Sequence, residues 1–167
     1  MKGIFIIMAT LNIIKEGDPI LRKISKPVKE ITPRILRLLD DMKETLIAAE
    51  GAGLAAVQVG VLRRIVLVEH EKAGLLELIN PEIIKSSDAR QQELEGCLSI
   101  PGKWGITDRP ESVTIRAMDR NGKYFTMSGD GLSARAFCHE LDHLDGILYT
   151  DRAVHMLTPE ELKEMKD

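Results

Sequence analysis

Apolar residues recur at helical spacing in two stretches of this chain, with short strand-like runs between them. Ile35, Leu38, Leu39, Met42 and Leu46 share one face of a helix. It opens after Thr32-Pro33, an N-cap followed by proline at the first helical position, and runs up to Gly51, read as its C-cap. A second helical stretch runs from Gly131 to Gly146, with Asp130 as N-cap and Gly146 as stop. At about 100° per residue, Leu132, Ala136, His139 and His143 fall on one stripe. Ala134, Phe137 and Leu141 widen the apolar arc, while Arg135 and Asp142 share the polar side. Strand-like runs lie at Arg64–Val68, Leu75–Ile79 and Val113–Met118. Asn121-Gly122 turns the last of these into a returning strand, Lys123–Met127. Lys85–Gln92 reads as an exposed polar loop, and the segment after Thr158-Pro159 as a short solvated helix. Strands in the middle and helices towards both ends predict an α+β fold rather than βαβ winding. The expected architecture is a single domain of antiparallel or mixed strands packed around the helix of residues 131–146.

That helix carries His139-Glu140-Leu141-Asp142-His143. Four-residue spacing stacks the two imidazoles on one face, where they can grip a divalent metal. Glu140 falls between the histidine stripe and Phe137. A buried carboxylate there is costly without a partner, and a metal-bound water is such a partner. This is the H-E-x-x-H pattern of metal hydrolases, with Glu140 as the expected general base. A catalytic site of this kind takes a third protein ligand. The downstream position used by metzincin-type proteases holds Tyr149, and His155 is out of register. Glu160, Glu161 and Glu164 are available to a small metallopeptidase but lie in the polar tail. Upstream, Cys97 in Glu95-Gly96-Cys97-Leu98-Ser99-Ile100-Pro101 is the better candidate. A closed structural site would need a fourth protein ligand, and none is evident.

Three ordered motifs now resemble the peptide deformylase family. Gly51-Ala52-Gly53-Leu54-Ala55-Ala56-Val57-Gln58-Val59-Gly60 is similar to its G-x-G-L-A-A-x-Q-x-G, and Glu95-Gly96-Cys97-Leu98-Ser99 to its E-G-C-L-S. His139–His143 is similar to its H-E-x-x-H, and Asp18-Pro19-Ile20-Leu21-Arg22 to its D-P-x-L-R. The resemblance spans residues 12 to 155, roughly. It implies a metal set of Cys97, His139 and His143 on a central metal-binding helix. Thiolate plus imidazole suits Fe(II), Zn(II), Co(II) or Ni(II) and disfavours Mg or Ca. The resemblance implies Fe(2+) as the native metal, with Zn, Ni or Co able to substitute.

The resemblance also implies that Gln58 and the backbone N–H of Leu98 donate to the oxyanion of a tetrahedral intermediate, with Glu140 shuttling the proton. The reaction implied is hydrolysis of the N-formyl group from formyl-methionyl nascent peptides, releasing formate. The ribosome is implied as a partner by the family only. Leu132 and Ala136 are candidate walls of an apolar pocket for the methionine side chain, and equally suit ordinary helix core. Glu95 and Arg109, flanking the Cys97 loop, suggest an ion pair that braces it. Cys138 stands where many members carry Gln. It lies off the histidine stripe and reads as core filler rather than a ligand.

With 167 residues, 44% hydrophobic and 29% charged, the chain suits one globular domain, 1–167. A net charge of −3 gives no direct nucleic-acid signal. Two cysteines, both in or beside the proposed metal motifs, argue against a disulfide framework and for a reducing, cytoplasmic setting. The apolar start, Ile4 to Ala9, follows a single Lys and precedes no cleavage site. It is too short to span a membrane and weak as an export signal. Met8 is an alternative start, making residues 1–7 an optional extension.

Overall fold

Ile65-Val66-Leu67-Val68 is an unbroken apolar run because the strand that carries it is buried on both faces. In the computed structural model, which describes residues 9–167, this strand is β2 (Ile65–His70). It lies second in a five-stranded antiparallel sheet ordered β1 (Gly53–Ala55), β2, β3 (Gly74–Ser86), β6 (Ser112–Met118) and β7 (Tyr124–Asp130). Val66 and Val68 face a core shared with Leu78, Ile115, Phe137, Leu141 and Leu144. Ile65 and Leu67 face the opposite core with Leu39, Met42, Leu46 and Ile79. Each face is covered by one helix: α2 (Gly131–Leu144) supplies Phe137, Leu141 and Leu144, and α1 (Pro33–Ala49) supplies Leu39, Met42 and Leu46.

A second sheet of three antiparallel strands, ordered β4 (Arg90–Cys97), β5 (Ile100–Pro110) and β8 (Ala153–Met156), stands beside the first. Between α2 and β8 lies a four-residue helix, α3 (Tyr149–Arg152), and α4 (Pro159–Lys166) follows β8. Under this sheet Leu21, Ile100, Leu148 and Tyr149 form a third, smaller core. The α+β expectation of antiparallel strands around a central helix matches this arrangement. The residue 1–7 extension lies outside the described residues.

The elements differ from the sequence expectation in three places. The loop expected over Lys85–Gln92 is shorter, residues 87–89: β3 runs to Ser86 and β4 begins at Arg90. Strands β4 and β5 escape hydrophobic patterning because their inward residues are polar. Gln91, Glu95, Thr107 and Arg109 are all buried. At the end of α1 the left-handed position is taken by Glu50 (φ 55), whose N–H closes on Ile47 and Leu46, and not by Gly51. Gly51 is closely packed instead: a Cβ there would stand 2.7 Å from Leu98 Cδ1, so Leu98 would have to shift.

Candidate active site

Helix α2 presents His139, Glu140 and His143 towards the end of β4, where Cys97 closes the strand. The ligand-type atoms of Cys97, His139 and His143 lie within 4.8 Å of one another and could hold a metal ion. Cys97 Sγ is 3.4 Å from His143 Nε2. The far nitrogen of His139, Nδ1, donates to Glu95 Oε1 at 2.6 Å, which turns its other nitrogen towards the group. Both Cys97 and His139 are half-buried and His143 is buried.

The electrostatics suit a cation at this point. Burial opposes charge on both rings. At His143 it prevails and holds the imidazole well below its usual range, hence neutral. At His139 the Glu140 carboxylate, Cys97 and Glu95 outweigh burial and draw positive charge to the ring. A metal ion shared by the three ligand atoms meets that demand without a proton on the ligand. Glu140, 3% exposed, has its carboxyl pushed up to about 7 by burial, and its Oε1 has no partner among the described residues. Its other oxygen lies against Gly53: a Cβ built there would stand 2.6 Å from Glu140 Oε2. Gly53 is thus a spatial requirement of the carboxylate.

Gln58 is oriented by its neighbours. Its Oε1 accepts the Ala55 N–H at 2.8 Å, so the amide nitrogen must point the other way. Nε2 donates to Ser99 Oγ at 3.0 Å and lies 3.7 Å from Cys97 Sγ. The Gln58 backbone carbonyl also accepts the Ile14 N–H at 2.7 Å, so the segment around Ile14 backs this corner.

The suspected Glu95–Arg109 pair is present at 2.7 Å and buried, with Arg109 4% exposed. Burial alone would raise Glu95, but hydrogen bonds from His139 and Arg109 bring it down to about 2. Thr107 Oγ1 also donates to it at 2.6 Å. Sequence reasoning missed Ser99, Thr107, Tyr149 and Asp142. Ser99 ends the E-G-C-L-S motif and could have been read there. Asp142, assigned to the polar side of α2, is instead ion-paired with Arg109 and Arg152. Arg135 likewise donates to Gln91 at 2.7 Å. Cys138 is buried in the α2 core and its thiol is pushed up to about 11 by burial, the behaviour of a core residue.

A cavity of about 500 Å³ opens beside this group. Gly51, Gln58, Leu98 and Glu140 line it with Leu132 and Ala136, and Trp104 stands among its lining residues. Leu132 is 48% exposed, so it serves as cavity wall and not as helix core. His155 and Glu161 lie apart, paired with each other at 2.8 Å on the surface, and α4 has no buried residue. Among the described residues, no downstream carboxylate joins the His139–His143 group.

Residues 10–158 match the family model described as Polypeptide deformylase. The chain is 49% identical over 160 residues to the peptide deformylase of Caldanaerobacter subterraneus subsp. tengcongensis, covering 96% of this chain and 99% of that one. A crystal structure of a peptide deformylase from Legionella pneumophila superposes with a TM-score of 0.83 at 38% identity, covering 95% and 92% of the two chains. The Met-Ala-Ser-bound class I type b peptide deformylase from Acinetobacter baumannii gives a TM-score of 0.82 at 30% identity, covering 87% and 99%. On the fold, the ordered motifs and these likenesses together, the chain belongs to the polypeptide deformylase family.

Proposed function

We propose that Cys97, His139 and His143 hold a divalent metal and that Glu140, Gln58 and the Leu98 backbone N–H carry out the chemistry around it. The chain is a hydrolase of protein N-terminal processing, acting on the formyl group of nascent peptides. The observation that carries the residue assignment is the convergence of three ligand-type atoms on one point beside a buried carboxylate. When bound, a divalent ion there acidifies water and polarises the formyl carbonyl. Glu140, in its dry surroundings, takes a proton from the attacking water and returns it to the leaving amine. Gln58 donates Nε2 to the developing oxyanion from an amide already aimed by Ala55, and the Leu98 N–H is the second donor.

The methionine side chain of the substrate would enter the cavity along Leu132 and Ala136. A Met-Ala-Ser peptide bound to the Acinetobacter relative is consistent with a Met-first ligand in such a cavity. We assign Fe(2+) as the native metal, with Zn, Ni or Co able to substitute. The remaining assignments are one catalytic domain over residues 1–167, a cytoplasmic setting, and the ribosome as the supplier of nascent chains. Among the described residues no helix is long and apolar enough to cross a membrane. The test is formate release from a formyl-Met dipeptide by anaerobically purified protein of measured metal content. Cys97→Ala should lose both metal and activity; retention of both would overturn the ligand assignment.

A further inference from the structure

Helix α3 is four residues long, yet it reaches His139 by two routes. The Tyr149 ring stacks on the His139 imidazole, centroids 6.1 Å apart and planes 21° from parallel, and is buried. At the other end of α3, Arg152 donates Nε and Nη2 to the Asp142 carboxylate, each at 3.3 Å. Asp142 also accepts Arg109 Nη1 at 2.7 Å. Arg109 turns Nε and Nη2 onto Glu95. Glu95 Oε1 then takes both Arg109 Nη2, at 2.7 Å, and His139 Nδ1, at 2.6 Å. A line of five side chains therefore runs from Arg152, 48% exposed, to a metal-ligand histidine. Its two carboxylates and two guanidiniums cancel, and His139 Nδ1 is the donor at its inner end.

We propose that α3 is a positioning element for His139. Tyr149 fixes the plane of the imidazole. Arg152 and Asp142 hold Arg109 back, so that the shared Glu95 oxygen stays on Nδ1. Without the Asp142 charge, buried Arg109 keeps a single carboxylate and draws Glu95 towards itself and away from the ring. Helix α3 is in turn anchored from the N-terminal side: Arg22 pairs with Asp151 and donates to the Gly146 carbonyl. The Asp18–Arg22 motif, remote in sequence from the ligands, thereby acquires a place in the site. The inference rests on the assignment of Cys97, His139 and His143 as ligands.

The test uses the cobalt(II)-loaded protein, following transfer of cobalt to a chelator and the visible spectrum of the bound ion. Asp142→Asn and Tyr149→Leu should each release cobalt about 10-fold faster and alter the spectrum, at the lower end of the 10- to 100-fold effect of partners that touch a ligand. The double variant should fall short of the product of the two, because both act on one ring. Exposed Arg152→Ala should accelerate release roughly threefold, a weaker effect because it acts through Asp142. Tyr149→Phe, which keeps the ring, should release at the native rate. Native release and spectrum in Asp142→Asn and Tyr149→Leu, with only a lowered Tm, would overturn the proposal. If neither folds, Arg152→Ala decides: faster release supports the proposal and native release overturns it. Cys97→Ala that retained cobalt with a native spectrum would instead remove the ligand assignment beneath it.

Discussion

Glu140, the proposed general base, owes its character to what surrounds it as much as to its type. It is a carboxylate kept dry, with one oxygen free of partners among the described residues and the other pressed against Gly53. Glu140→Gln preserves shape and removes the proton acceptor. Its kcat should fall by about 10²–10⁴ with metal content unchanged, measured by formate release beside metal analysis. Gly53→Ala tests the same carboxylate from outside. The new Cβ would overlap Glu140 Oε2, and the side chain must move by about an ångström, a displacement that can cost about 10² in rate. The expected signature is a loss in kcat with metal retained; native turnover would show that Glu140 has room to spare. The histidine pair and Glu140 were legible in the sequence because helical spacing alone puts them together. Asp142 was not, since nothing in a linear pattern distinguishes a solvated acid from one meeting two arginines carried by β5 and α3.

At the level of elements, the sequence was readable wherever one side of an element is apolar. Helices α1 and α2 and strands β2 and β6 were placed nearly to their observed ends. Strands β4 and β5 were not, because the face they bury holds Gln91, Glu95, Thr107 and Arg109. Their alternation is polar against polar, and strand periodicity needs contrast. The polar groups by which the second sheet reaches His139 and Asp142 are the ones that leave it without a hydrophobic signal. Helix α3 is too short to show any period. It is held by Asp151, whose carboxylate accepts the Leu148 N–H at 3.0 Å and pairs with Arg22. The hydrogen bond from Arg22 is the foremost cause that holds this carboxyl below the usual aspartate range. A depressed folded-state value gives stability that is present above the unfolded value, near pH 3.9, and lost as the pH falls through the folded one. Both side chains are well exposed, so screening limits the gain to about 0.5–1 kcal/mol. Asp151→Asn should therefore be less stable than the native chain by about that amount at neutral pH, and the gap should close as acid protonates the folded-state carboxyl. Urea unfolding at neutral and at acid pH measures it.

Across the whole molecule, the proposed metal site joins parts that otherwise meet through side-chain hydrogen bonds, ion pairs and packing. Cys97 ends a strand of the second sheet, and the two histidines lie on the helix that covers the first. A bound ion would add RT ln(1 + [L]/Kd) to stability, about 4 kcal/mol at a thousand times Kd. For a chain of this size that is a Tm higher by about 8–16 °C. Calorimetry with and without a chelator should show the drop, and Cys97→Ala should show none. The ligands also differ in when they can come together. His139 and His143 are one helical turn apart, whereas Cys97 and His143 are separated by 46 residues. The two imidazoles need one turn of α2 to come together, whereas the thiolate also needs β4 seated against that helix. A chain whose second sheet had not seated would offer an incoming ion two nitrogens and no thiolate, so tight binding of the metal would report that the two sheets have joined.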